Sequence, residues 1–156
     1  MSTWSKNSTA SNRVFSMLLL VASLVAVDAT KASERTTNMK IRISIADKVV
    51  IATVADNATA RDFVSVLPLS VSMKDLFGRE KYGDLPKALS ENGPRKNTYE
   101  VGEIAYWSPD QQFAVYYHQD GDSIPSPGVI PIAKIDTGAE AFNVPGSVKV
   151  TIAVAK

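Results

Sequence analysis

Gly102 to His118 reads Gly-Glu-Ile-Ala-Tyr-Trp-Ser-Pro-Asp-Gln-Gln-Phe-Ala-Val-Tyr-Tyr-His and restricts the fold more than any other stretch. It has the pattern of two strands around a turn. Ile104, Tyr106, Phe113, Val115 and Tyr117 recur at period two, and alternate strand side chains share a face. Ala105, Trp107, Ala114, Tyr116 and His118 fill the other face. Neither face is plainly polar, so this hairpin is expected to be covered on both sides. Ser108-Pro109-Asp110 makes the turn, because proline fixes φ at the second turn position and aspartate bonds its own backbone. Gln111 and Gln112 lead into the second strand.

The segments around this hairpin follow the same period. Lys40 to Ile45 alternates strictly, Ala46-Asp47-Lys48 turns, and Val49 to Val54 returns as a second strand. Asp56 to Phe63 begins a helix that Asn57 or Thr59 can cap, with Asp62 assigned to its first turn. Ala60, Phe63, Val64 and Leu67 share one helical face, and Pro68 ends the helix. Such a helix is expected to pack over a barrel opening or a sheet face. Leu69 to Met73 is a third strand. Asp75 to Asn97 reads as a long irregular surface in which Lys74, Arg79, Lys81 and Lys87 alternate with Asp75, Glu80 and Asp84. Leu76, Phe77 and Tyr82 are expected to tie it to the core. Val129 to Ile135 is a strand with an edge or bulge at Pro131, Asp136-Thr137-Gly138 turns it, Ala139 to Phe142 forms a helical turn, and Ser147 to Val154 closes the chain as a strand.

The N-terminus differs from the rest. Met1 to Arg13 is polar, carries Lys6 and Arg13 and has no acid; Val14 to Val27 is apolar except for Ser16 and Ser23; small residues then reach Ala29. This order is that of a secretory signal peptide over residues 1–29, with Ala32 as a second cleavage position. The apolar run falls short of the ~20 residues that span a bilayer, so no stable membrane anchor is expected after cleavage. Without a following cysteine there is no lipoprotein signal. Residues 30–38 read as a flexible lead-in and 39–156 as the domain. The expected location is the periplasm or the exterior.

Cleavage would remove Lys6, Arg13 and Asp28, reducing 17 basic and 16 acidic residues to 15 of each. A neutral chain without a basic run lacks the electrostatic footprint for nucleic acid. Cysteine is absent, so an exported domain must be held by its core alone, and thiol catalysis is excluded. One histidine and no cysteine do not make a usual zinc site. Asp120-Gly121-Asp122 resembles part of a calcium loop but lacks the terminal glutamate, so a turn with solvated carboxylates is the expectation. A serine hydrolase would have to use His118, which at a strand end reads as a surface residue. No cofactor and no metal is expected.

Short strands and one clear helix argue a mainly β barrel or sandwich. Met39-Lys-Ile-Arg-Ile, Asn57-Ala-Thr-Ala-Arg-Asp-Phe, Leu67-Pro-Leu, Gly102-Glu-Ile-Ala-Tyr-Trp-Ser-Pro and Val129-Ile-Pro-Ile-Ala-Lys-Ile, in this order and spacing, resemble the bacterial cyclophilin-like family. The resemblance covers nearly all of residues 39–154. It implies a closed eight-stranded β-barrel with one or two short helices, and no settled biochemical activity. Against active cyclophilins, which are prolyl isomerases, Gly102 to Trp107 followed by Gln111 to Ala114 looks like their Gly-x-Leu-Ser-Met-Ala-Asn and Ser-Gln-Phe-Phe segments. Gln112 then matches the substrate-binding glutamine, while Ala114 replaces a pocket-lining phenylalanine. The Phe-His-Arg segment with the catalytic arginine has no counterpart. Losing such a donor lowers a rate by ~10²-fold or more, so no catalytic residue is assigned.

What remains is recognition. Tyrosine and tryptophan combine an apolar body with a polar handle, which suits a peptide or small molecule. The candidate ligand-binding residues are Trp107, Gln112, Phe113, Tyr116 and His118, with Arg61 as an anchor for an anionic group. The competing expectation is that both hairpin faces are simply buried. A weak isomerase acting on exported proteins stays open if Arg42, Arg61 or Arg79 stands beside Gln112 and Phe113. The sequence assigns no oligomeric state.

Overall fold

The computed structural model describes residues 39–156; the expected signal peptide (1–29) and lead-in (30–38) fall outside the described residues. Eight strands close into one antiparallel barrel: β1 (Lys40–Ile45), β2 (Lys48–Val54), β3 (Leu69–Leu76), β4 (Glu80–Asp84), β5 (Glu103–Trp107), β6 (Gln112–Tyr116), β7 (Ile130–Ile135) and β8 (Val148–Val154). Around the barrel the order is β1-β2-β7-β5-β6-β4-β3-β8, and β8 returns to β1. Closure removes every sheet edge, so Pro131 lies at an irregularity rather than an edge. The β5–β7 register shifts there: Ile104 faces Ala133 while Ala105 faces Pro131, which leaves Ile132 as an extra residue.

Period-two alternation fills the interior. Ile41, Ile43 and Ile45 of β1 are buried with Val50, Ala52 and Val54 of β2, Ile104 and Tyr106 of β5, Phe113 and Val115 of β6, and Val150 and Ile152 of β8. The single α-helix among the described residues, α1 (Ala58–Ser65), belongs to this core. Asn57 caps it, its side chain accepting from the Ala60 amide at 2.9 Å and donating to the Pro131 carbonyl at 2.8 Å. Phe63 is buried with its ring 5.5 Å from that of Phe113. Asp62 is not in the first turn; its carboxylate instead accepts from the Ser90 amide at 2.7 Å.

The main correction concerns 75–97. Residues 85–97 are irregular as expected, and Lys74, Asp75, Asp84 and Lys87 are exposed, but 75–84 belongs to the barrel. Strand β3 runs on to Leu76, and β4 lies between β3 and β6. Arg79, Glu80 and Lys81 are all buried. Alternating charges made the segment look solvated, but each of these charges has a specific partner. Lys81 lies on the inward side of β4 and is fully buried. Its ammonium donates to Asp75 at 3.0 Å and to the Val144 and Gly146 carbonyls at 2.6 and 2.8 Å. Beyond β4, Leu85 and Leu89 join the core, and the Leu89 amide donates to the Tyr106 hydroxyl at 3.2 Å. Leu76 is half-buried, but Phe77 is 76% exposed and does not join the core.

Candidate functional site

The two faces of the β5–β6 hairpin part company as their alternation requires. Ile104, Tyr106, Phe113, Val115 and Tyr117 enter the barrel core. Ala105, Ala114 and Tyr116 face outward into a second apolar cluster with Tyr99, Ile124 and Val129, flanked by Tyr82 and Trp107. The cover comes from the 96–101 and 117–129 segments. The Lys96 and Val129 backbones bond each other at 2.9 and 3.0 Å, and the Ile124 amide donates to the Asn97 carbonyl at 2.7 Å. At Gly128, with φ +81°, a Cβ would lie 2.6 Å from the Lys96 carbonyl oxygen, so glycine permits this close approach.

The cover is incomplete. A cavity of about 420 Å³ opens on the outer face of β4, β5 and β6. Tyr82, Trp107, Gln112, Ala114 and Tyr116 line it, Ile124, Pro125 and Val129 wall one side, and Leu76 and Phe77 stand at the β3–β4 turn. Its size falls in the range of small-ligand sites. Arg79 and Glu80 complete the lining with Asp110.

The polar groups form a short network. Arg79 donates from Nε to Glu80 at 3.1 Å and from Nη1 to Asp120 at 3.3 Å. Its guanidinium carbon lies 5.3 Å from the ring centres of both Phe77 and Tyr99. Burial opposes the charge of Arg79, but Glu80 and Asp120 outweigh it and raise the pKa. The Tyr99 hydroxyl donates to Asp120 at 2.6 Å, which holds that carboxyl below its ordinary range with help from the Asp122 amide and Arg79. Asp120 is therefore engaged by protein donors. Trp107 donates from its indole to Asp110 at 3.0 Å, and the Gln112 amide to Asp84 at 2.8 Å. Tyr116 stacks on Tyr99 with ring centres 4.3 Å apart. Burial, then the neighbouring Glu80 charge, raises its phenol well above the ordinary value.

Glu80 is raised as well. Burial is the largest influence, and Arg79 only partly opposes it. A carboxyl whose folded pKa exceeds its unfolded one favours folding below the ordinary value of 4.5, and that contribution is lost as pH rises through the folded value. Relative to Glu80→Gln, the wild-type protein should therefore lose stability on going from about pH 4 to about pH 8. Urea denaturation of both proteins across that range measures the difference. A difference that stays flat, or that grows in favour of the wild type, would remove burial as the dominant influence on Glu80.

Of the residues singled out by sequence, Trp107, Gln112 and Tyr116 meet in the cavity. Phe113 borders it from behind, with its ring in the barrel core against Phe63. His118 is exposed and outside the lining; its amide donates to the Arg79 carbonyl at 3.2 Å. Arg61 is exposed on α1, pairs with Asp56 at 2.9 Å and also lies outside. Of Arg42, Arg61 and Arg79, Arg79 is the one that shares the cavity with Gln112 and Phe113. Arg79, Glu80 and Tyr82 went unassigned because β4 was missed. The signal available was the alternation of Glu80, Tyr82 and Asp84.

A family model described as the cyclophilin-like family matches residues 43–153. No curated protein matches the chain. Among solved structures, the solution structure of a hypothetical protein from Archaeoglobus fulgidus is similar, with a TM-score of 0.63 and 21% identity over 78% of this chain and 98% of that one. At that identity the likeness extends to the fold.

Proposed function

The chain belongs to the cyclophilin-like family, and from that premise we propose that it is a non-catalytic module that binds a peptide or small ligand on the outer face of β4, β5 and β6. The observation that carries this reading is the cavity itself. An apolar space of about 420 Å³ is kept open beside Tyr82, Trp107 and Tyr116, although 96–101 and 117–129 close the rest of that face. A concave, mostly apolar cleft with a few convergent polar groups is the usual form of a small-ligand site.

A second reading, a weak prolyl isomerase acting on exported proteins, is favoured by one observation: Arg79 stands in the same cavity as Gln112 and Phe113. Its state argues for the first reading. The guanidinium is paired with two carboxylates and flanked by two rings, so a ligand carbonyl meets a donor whose charge is already compensated. Prolyl isomerisation of a short peptide, with an active cyclophilin as control, separates the two. We expect no rate above background from the folded protein. A clear rate lost on Arg79→Lys and on Gln112→Ala would establish the isomerase instead.

Export is part of the proposal and rests on the order of residues 1–29. The protein recovered outside the cytoplasm is expected to begin at Thr30 or Ser33, which intact mass determines. Recovery of uncleaved chain inside the cell would contradict it.

A further inference from the structure

Two buried polar groups in the cavity wall have hydrogen-bonding capacity that the protein leaves unused. Glu80 on β4 and Tyr116 on β6 are direct partners in the ladder, and both line the cavity. They are 6% and 1% exposed. Oε2 of Glu80 accepts from Arg79, while Oε1 has no donor among the described residues. The Tyr116 hydroxyl likewise has no hydrogen-bond partner among them. No sealed side-chain polar atom among the described residues lacks a partner, so neither atom is fully sealed, and both residues line the cavity. Buried polar groups are otherwise paired as a rule, which makes this pair informative.

The charges around them set the sign. The cavity lining carries one cation, Arg79, and two carboxylates, Glu80 and Asp110. Arg79 is further compensated by Asp120 at 3.3 Å. An anionic group entering here would meet net negative charge and a guanidinium already paired twice. A donor would find Oε1 of Glu80 open, and a charge-assisted hydrogen bond in a desolvated site is the stronger kind.

We infer that the cavity selects ligands carrying a cationic or neutral hydrogen-bond donor on an apolar body, and rejects anions, with Glu80 as the specificity-determining residue and Tyr116 as the second polar contact. The inference rests on the reading of this cavity as a ligand site.

Three probes with one apolar body test it: 2-phenylethylamine, 2-phenylethanol and 3-phenylpropionate, titrated into the purified protein at neutral pH. The readout is the indole N–H resonance of Trp107 together with the Gln112 side-chain amide. The amine should bind at least about tenfold more tightly than the carboxylate, with the alcohol between them. Glu80→Gln should remove the advantage of the amine over the alcohol, and Tyr116→Phe should weaken the alcohol. Should Glu80→Gln not fold, the wild-type order and the Tyr116→Phe result decide the matter. A carboxylate that binds as tightly as the amine, or an order unchanged in Glu80→Gln, overturns the headgroup rule while leaving the ligand site standing. Silence of all three probes at millimolar concentration overturns the ligand site as well.

Discussion

Lys81→Met should destabilise the fold by about 1–3 kcal/mol, the range for leaving acceptors without their donor, because Asp75 is exposed and no buried charge is stranded. Methionine keeps the length and apolar stem of the lysine and removes its donors. Three acceptors lose their partner: Asp75, and the Val144 and Gly146 carbonyls between β7 and β8. A sealed acceptor left unpaired costs about 1–3 kcal/mol, and water recovers part of that here because Val144 is half-buried and Gly146 exposed. Asp75 keeps its hydrogen bonds from the Tyr117 hydroxyl at 2.5 Å and the Gly78 amide at 3.0 Å, which limits its share. The midpoint of thermal unfolding should fall by roughly 5–10 °C. Lys149→Met, at an exposed position of β8, serves as the control and should change stability by no more than about 0.5 kcal/mol. A loss below about 1 kcal/mol at Lys81 would mean that water satisfies this end of the barrel.

Arg79→Met should cost more at neutral pH, about 3–5 kcal/mol, because it leaves the buried Glu80 carboxylate without its cation. The cost has a signed pH dependence. Without Arg79 the one influence that chiefly lowers the Glu80 pKa is gone, and burial dominates. Protonation then relieves the variant, so its deficit should shrink as the pH is lowered towards 4.5. Adding Glu80→Gln to Arg79→Met should recover most of the loss, whereas independent sites would simply add. Denaturation of the single and double variants measures this coupling. A double variant as unstable as the sum would show that Arg79 acts through its packing on Phe77 and Tyr99 rather than through Glu80.

Where side chains follow a clean period, the architecture is legible in the residues. The Ile41, Ile43 and Ile45 alternation, the Val148 to Val154 strand and the two-sided β5–β6 hairpin all read correctly because burial alone decides them. The β4 strand did not, and the reason is physical. Glu80, Lys81 and Asp84 carry the composition of a surface loop, and Gly83 weakens a strand pattern. Much of what holds them is long-range: Lys81 donates to carbonyls more than sixty residues away, and Arg79 pairs with Asp120 across a loop. No local pattern encodes such partners. Gly83 is small for a related reason, since a Cβ there would lie 2.8 Å from Val71.

The candidate site divides along the same line. Trp107 and Tyr116 were legible because they share the hairpin face that proves to be the outer one. His118 follows that alternation in sequence, yet β6 ends at Tyr116 and the chain leaves the sheet before the pattern reaches it. Phe113 entered the candidate set with Gln112 through the resemblance to the Ser-Gln-Phe-Phe segment, but strand parity sends its ring inward. The charged half of the cavity, Arg79 and Glu80, came with β4 and was lost with it.

The central claim is that the cavity beside Trp107 and Tyr116 binds a ligand without catalysing a reaction. Its most direct measurement is a pair of ¹H–¹⁵N correlation spectra of the purified protein, with and without a mixture of short capped peptides. The account predicts shifts at the Trp107 indole, the Gln112 side-chain amide and the Ile124 and Val129 amides, and their loss in Trp107→Ala with the remaining spectrum intact. Shifts that fall elsewhere on the barrel, or a cavity unperturbed by every peptide and small-molecule probe, would contradict it.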